Sequence, residues 1–211
     1  MNWLIACEES ATVRDEFRKR GHNAWSCDIL PCSGDPRWHL KCDVLSVLHS
    51  VPAECNHGVP AKWDGMIAFP PCTYLALCQV WRCNKSPERA KKREAAVRFA
   101  RTIWSAPIPL IGLEQPKSQL STMMAPKSQT IHPWQFGHKE TKETWLWLKG
   151  LPPLRPTNIV GPPPPKDSPE RKDWERVWRM PPSPARSRMR SKTYPGIAEA
   201  MADQWGGLQG D

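Results

Sequence analysis

This chain lacks any apolar stretch long enough to cross a membrane. Its N-terminal apolar run, Trp3 to Cys7, is too short for a signal-peptide core and has no basic region before it. A cytoplasmic location without membrane contact is the resulting expectation. The chain also lacks a Cys-x-x-Cys pair. Cys27 and Cys32 stand five apart, as do Cys78 and Cys83, and Cys55 lies near His57. No zinc framework emerges from those spacings, so no metal site is expected and the eight cysteines read as reduced thiols. The zinc-dependent base deaminases need Pro-Cys-x-x-Cys, but the cysteine after Cys72 is Cys78. There is no internal repeat.

What is present favours one folded unit. A length of 211 residues, 39% hydrophobic content and 12 Trp allow a sizeable core. The formal charge is +9, and the excess is local: Arg171 to Lys192 holds eight Lys/Arg against Asp173 and Glu175. Such a stretch, carrying Trp174 and Trp178, suits a phosphate backbone slightly better than it suits a solvated tail that maintains solubility.

Residues 2–7 read as a buried strand, "VRDEFRKRG" as a helix stopped by Gly21, and "AWSCDIL" as a second strand. Thr12 and Asp15 loosely match a capping box. Asp28 closes this strand–helix–strand unit 21 residues after Cys7, the spacing of an acid that binds ribose hydroxyls in dinucleotide-type folds. "WDGMIAF" predicts a strand ending at Pro70-Pro71-Cys72. Ser86 and Pro87 open a helix with Ala96, Phe99, Ala100 and Ile103 on one face. "PLIGL" predicts a strand ending before Glu114, and "ETWLWLKGL" fits either a helix or a strand. Beyond Pro152 the chain is a Pro-rich connector, extended around four consecutive prolines, and a closing helix carries Ile197, Met201 and Trp205. The pattern predicts an α/β fold, a mostly parallel sheet with helices on both faces.

Ligands of such sheets sit beyond the carboxyl ends of the strands. Asp28, Cys72 and Glu114 each fall at such an end, which points to one crevice. The two prolines stiffen the loop of Cys72, and Glu114 is a proton donor if its surroundings raise its pKa. The competing readings are a small buried thiol for Cys72 and a cap or salt bridge for Glu114.

The segments "ACEESATVRDEFRKRGHNAWSCDILP", "FPPCTYLA", "PIPLIGLEQPKS", "HPWQFGHKETKETWLWLKGLPPL" and "RMRSKTYPGIAEAMADQWG" resemble, in order, small phage-type proteins related to DNA cytosine-5 methyltransferases. The likeness spans nearly the whole chain outside residues 162–180. It implies a single Rossmann-like methyltransferase core over 1–160. A Pro-rich basic connector at 161–185 takes the place of a large recognition domain, and 186–211 returns to the core. It implies S-adenosylmethionine as cofactor and DNA, duplex or single-stranded, as partner, with a further protein as a possible source of specificity. The setting would be host cytoplasm if the gene is phage-borne.

Residue by residue, the resemblance makes Cys72 the nucleophile that adds to carbon 6 of cytosine, and Glu114 the acid at the base's amino edge and ring nitrogen. The cofactor would meet Cys7, Glu8 and Ser10 in the first turn, Asp28 at its ribose, Ile29 beside it, and Asp43 near its adenine. Pro70, Ser191 and Thr193 would complete that pocket. Lys139, Lys142, Arg186, Arg188 and Arg190 would meet nucleic acid, while Trp174 and Trp178 would stack on a base or pack on the connector. The chain departs from the large enzymes in having no glycine at Ala6–Ser10, Gln115 in place of Asn, and no recognition domain. Two alternatives remain: the same chemistry on RNA or free nucleotide, or a non-catalytic DNA- or protein-binding relative.

Overall fold

Along the first strand, β1 (Asn2–Ala6), Leu4 and Ala6 join one buried cluster and Trp3 and Ile5 another, following the two-residue period of a strand. All four are fully buried, so both faces of the sheet are covered. The computed structural model describes residues 1–208. Six more strands follow: β2 (Asn23–Asp28), β3 (His39–Lys41), β4 (Gly65–Ala68), β5 (Leu110–Pro116), β6 (Gln129–Ile131) and β7 (Thr144–Lys149). The helices are α1 (Thr12–Lys19), α2 (Val80–Asn84), α3 (Pro87–Trp104), α4 (Leu120–Met123), α5 (Arg176–Arg179), α6 (Pro184–Ser191) and α7 (Pro195–Trp205).

The sheet order is β3-β2-β1-β4-β5-β7-β6. Neighbours from β3 through β5 pair in parallel, and β7 runs antiparallel to both β5 and β6. The chain first builds outward from β1 to β3 and then returns to lay β4 on the other side of β1. That reversal makes a switch point between β1 and β4, where a crevice opens above the carboxyl ends. No described helix is long and apolar enough to cross a membrane.

α3 covers one face through Val97, Ala100 and Ile103. Ser86 Oγ accepts from Arg89 N at its start, and Pro87 occupies the first turn. α1 and α7 cover the other face: Val13 and Phe17 share a cluster with Ile197, Met201 and Trp205. Trp205 is fully buried and donates from Nε1 to Pro152 O at 3.0 Å. Gly196 is required where α7 begins, because a Cβ there would collide with Phe136 O.

Three local expectations need correction. β2 stops at Asp28, leaving Ile29 and Leu30 72% and 55% exposed. No Thr12–Asp15 capping box forms at α1; Ala11 is the N-cap, and the cap comes from Glu8. The region after the prolines is more helical than a wholly extended connector, with a 3-10 stretch at Pro169–Glu175 followed by α5 and α6. The ambiguous "ETWLWLKGL" forms β7.

Candidate active site

Parallel register aligns the site. Ala6 pairs with Cys27 and Ala68, and Ala68 pairs with Leu113. Cys7 and Phe69 follow the ends of β1 and β4, and Asp28 ends β2. β5 does not stop before Glu114 as expected but runs on beside β7 to Pro116, with Glu114 the first residue past its pairing with β4. Lys142 enters from the segment before β7, whose Leu146 lies opposite Glu114.

Beyond β4, Cys72 is exposed. Protein crowds it enough that desolvation is the largest cause of its raised thiol pKa, with the Glu114 charge next; the charges of Lys142 and Arg190 act in the opposite direction. Lys142 Nζ lies 3.6 Å from Glu114 Oε1 and 3.2 Å from Arg190 O. Lys142 thus ties the Glu114 segment of β5 to the end of α6. Glu114 has a 14% exposed side chain, and Lys142 a 26% exposed one. Two cations and one carboxylate consequently surround the thiol.

The Cys72 loop is fastened to the segment after Glu114. Gln115 Nε2 donates to Pro70 O. Leu77 N donates to Lys117 O at 2.8 Å, Gln119 N donates to Leu75 O at 2.8 Å, and Ser118 Oγ also donates to Leu75 O. Cys72 O accepts from both Leu75 N and Ala76 N. Pro70 itself is buried. These bonds give Cys72 and Glu114 a common frame, so a shift in one is transmitted to the other. Gln115, which differs from the resemblance's Asn, has no hydrogen-bond partner for its buried Oε1.

Beyond β1 the chain turns without glycine. Cys7 and Ala11 adopt the left-handed conformation at φ 58° and 61°, at a cost of roughly 1–2 kcal/mol each. Glu8 offsets this by capping α1: Oε1 accepts from Val13 N at 2.7 Å and Oε2 from Arg14 N at 3.2 Å. Burial pushes the Glu8 carboxyl up to about 7 against those bonds. Ser10 Oγ lies 3.2 Å from Glu8 Oε1 and accepts from Thr12 N. Both side chains therefore serve the turn itself.

Burial, then the charges of Asp28 and Asp43, push the Cys7 thiol up to about 12. Those two carboxylates accordingly act on the same place from the ends of β2 and β3. Asp28 Oδ1 accepts from Leu30 N at 2.9 Å, and Asp43 Oδ1 accepts from Leu45 N at 3.0 Å. The exposed Ile29 stands beside Asp28.

Arg14 was not legible as a site residue. It is completely buried in α1, with Nη1 donating to Asp35 O at 2.9 Å and Ser26 Oγ at 3.2 Å. With Ser33 N donating to Glu9 O at 2.8 Å, it pins the loop after β2 over the first turn. Its Nε donates to Asp15 Oδ1 at 2.9 Å, and its Nη2 stands 2.8 Å from the same oxygen without hydrogen-bond alignment.

The basic connector divides in two. Glu175 pairs with Arg171 and Arg179, and Arg176 with the buried Glu140. Trp174 is buried, its carbonyl accepting from Thr141 N, whereas Trp178 is 65% exposed. Trp174 is thus a packing residue. On α6, Arg188 and Arg190 are exposed, while Arg186 donates to Trp178 O. Among the described residues no carboxylate pairs with Arg186, Arg188, Arg190 or Lys192. Lys139 is exposed near Lys142. Ser191 ends α6 with its hydroxyl on Arg188 O, and Thr193 is half-buried before α7.

His138 and Glu140 do have the spacing of a deaminase His-x-Glu, but His138 Nε2 accepts from Gly196 N at 2.9 Å. Among the described residues no three His, Cys, Asp or Glu side chains form a metal-binding group. The chain matches no protein-family model, and no curated protein matches it.

Proposed function

We propose that this chain is an S-adenosylmethionine-dependent methyltransferase acting on carbon 5 of cytosine in DNA through a covalent adduct to Cys72. One observation carries the reading: an exposed thiol beside the Glu114 carboxylate, with the charges of Lys142 and Arg190 acting on it, past the parallel pairing of β4 with β5. The seven-stranded sheet then serves as a Rossmann-like methyltransferase domain.

The residues beyond β1–β3 fit the cofactor. Asp28 has one carboxylate oxygen on Leu30 N and a second for a ribose hydroxyl. Ile29 offers an apolar surface to an adenine face, Asp43 lies near that end, and the Cys7–Ala11 turn lies beneath the cofactor's methionine end. When bound, S-adenosylmethionine supplies the methyl group.

In this mechanism Cys72 passes its proton through water to Glu114, and Sγ forms a bond to carbon 6 of cytosine. The Glu114 carboxylic acid donates to ring nitrogen 3 while its other oxygen accepts from the amino group, so the electron pair displaced from the 5,6 double bond makes carbon 5 nucleophilic. After carbon 5 gains its methyl group, it gives its proton to water; the double bond is restored and Sγ leaves as the thiolate. Lys142 and Arg190 favour the thiolate, and Lys142 also holds Glu114 in place. The arginines of α6 hold phosphates above the site, and a duplex base has to be flipped out to reach Cys72.

A single-stranded substrate is the favoured form of this reading. Only Trp174 and Val177 are buried between residues 161 and 192, too little for an independent recognition module. The test is methyl transfer: labelled S-adenosylmethionine is incubated with single- and double-stranded DNA, and the nucleosides are then analysed. Labelled 5-methylcytosine, greater from single strands, is expected; no label in any cytosine would refute the assignment.

A further inference from the structure

The second face of the Cys72 loop holds an open groove that the proposed chemistry does not use. It has a volume of about 510 Å³ and is lined by Pro71, Thr73, Tyr74, Ala95, Ala96 and Phe99. That lies within the range of small-ligand sites, roughly 300–1,000 Å³. Pro71 and Thr73, the neighbours of Cys72 in the chain, form one wall; α3 forms the other. The lining is aromatic and aliphatic.

Its rim is cationic. Arg89 and Lys92 precede Ala95, Ala96 and Phe99 by one or two turns of α3, which places them along the same side of the helix. The Arg89 guanidinium lies 5.1 Å from the Tyr74 ring centroid, and Lys92 pairs with Glu88. One turn before α3, Trp81 is 55% exposed, with Arg82 and Lys85 at 5.2 and 5.3 Å from its ring. Flat apolar walls beside cations suit one class of ligand, a nucleobase attached to its phosphate. A neutral apolar ligand would have no use for the rim, and a plain anion none for the walls.

We propose that this groove takes the nucleobase next to the target cytosine in a single strand, with its phosphate on Arg89 and Lys92. The inference rests on the reading of Cys72 as acting on a base. It supplies what that reading lacks, a place on the core where flanking sequence is read. Two of the lining residues, Pro71 and Thr73, flank Cys72 in the chain, which sets the groove beside the target base.

The test uses the full chain and short fluorescein-labelled single-stranded oligodeoxynucleotides with one cytosine. Each is intact or carries an abasic residue on the 5′ or the 3′ side of that cytosine. Binding of the wild type should weaken about tenfold for one abasic side only, the effect of losing one stacked base. Ala95→Leu fills the groove from an exposed helix position with little change in helix propensity. It should bind the intact oligonucleotide about tenfold more weakly and no longer distinguish it from the abasic one. Tyr74→Ala should behave likewise. Equal binding of all three oligonucleotides by the wild type, or undiminished discrimination by Ala95→Leu, overturns the groove assignment; so does failure to bind any of them. Methyl transfer is measured in parallel. Discrimination without transfer sinks the chemistry and leaves the groove, while transfer without discrimination sinks the groove alone.

Discussion

Cys7 and Cys72 leave neighbouring strands at the same edge of the sheet, yet their surroundings give them opposite prospects. Cys7 sits half-buried in a strained turn, with Asp28 and Asp43 adding negative charge; its thiol is pushed up to about 12. Cys72 is also raised, by desolvation and Glu114, but it is exposed and Lys142 and Arg190 counter the rise. The switch point thus separates a half where carboxylates act on the thiol from a half where Lys142 and Arg190 add positive charge. Position at a strand end does not make a nucleophile. Access and nearby charge of the right sign do.

The largest test of this contrast is alkylation. At about pH 8 iodoacetamide should label Cys72 at least about a hundredfold faster than Cys7, read by peptide mass spectrometry. Comparable rates would break the comparison. On the carboxylate side, the buried Glu8 gives a stability signature. Its folded pKa of about 7 lies above the ordinary value of 4.5, so the folded state holds the proton more tightly. Stability is then greatest below about pH 4.5 with respect to this group, and falls by on the order of 3 kcal/mol as pH rises to about 7. Urea denaturation of Glu8→Gln should show that slope flattened; an unchanged slope would move the titration elsewhere.

Lys142→Gln and Arg190→Gln sharpen the other half. Each removes a cation, raises the Cys72 thiol further and should slow its alkylation by about tenfold at about pH 8, leaving Cys7 untouched. Rates that do not change would mean the two charges are screened from the sulfur. The smallest effect is expected for Asp28→Asn, which should lower the Cys7 thiol slightly, because burial remains its main cause. A thiol titration that shows Cys7 returning to the ordinary range would reverse that order.

The sequence disclosed the strong periodicities. β1, α1, β4, α3, β5 and α7 are apolar runs or one-sided helices, and Ser86-Pro87 marks its helix outright. β3 and β6 have three residues each, too few to show a period. β7 alternates Trp and Leu with both faces covered, so its pattern does not separate strand from helix. α6 opens on Ser183-Pro184, the same signal as α3, but with no buried residue it has no apolar face to detect. At the site, Asp28 and Cys72 were read from the ends of strands, Glu114 from a strand that runs on past it to Pro116, and Asp43 from the family resemblance alone, because β3 is too short to show. Three features were not: left-handed backbone at Cys7 and Ala11, which composition does not reveal; the inward turn of Glu8; and the burial of Arg14, which reads as an ordinary surface residue of α1. Lys142 was placed on the nucleic acid, yet its nearest carboxylate is Glu114, a contact set by β7 running antiparallel beside β5.

The most direct test of Cys72 as the nucleophile is covalent trapping. The protein is incubated with S-adenosylmethionine and single-stranded DNA containing 5-fluorocytosine, whose fluorine cannot leave as a proton does. A denaturant-resistant protein–DNA adduct, absent in Cys72→Ala and retained in Cys78→Ala, is the expected result. An adduct that survives in Cys72→Ala, or no adduct from a wild-type protein that binds both cofactor and DNA, would contradict it.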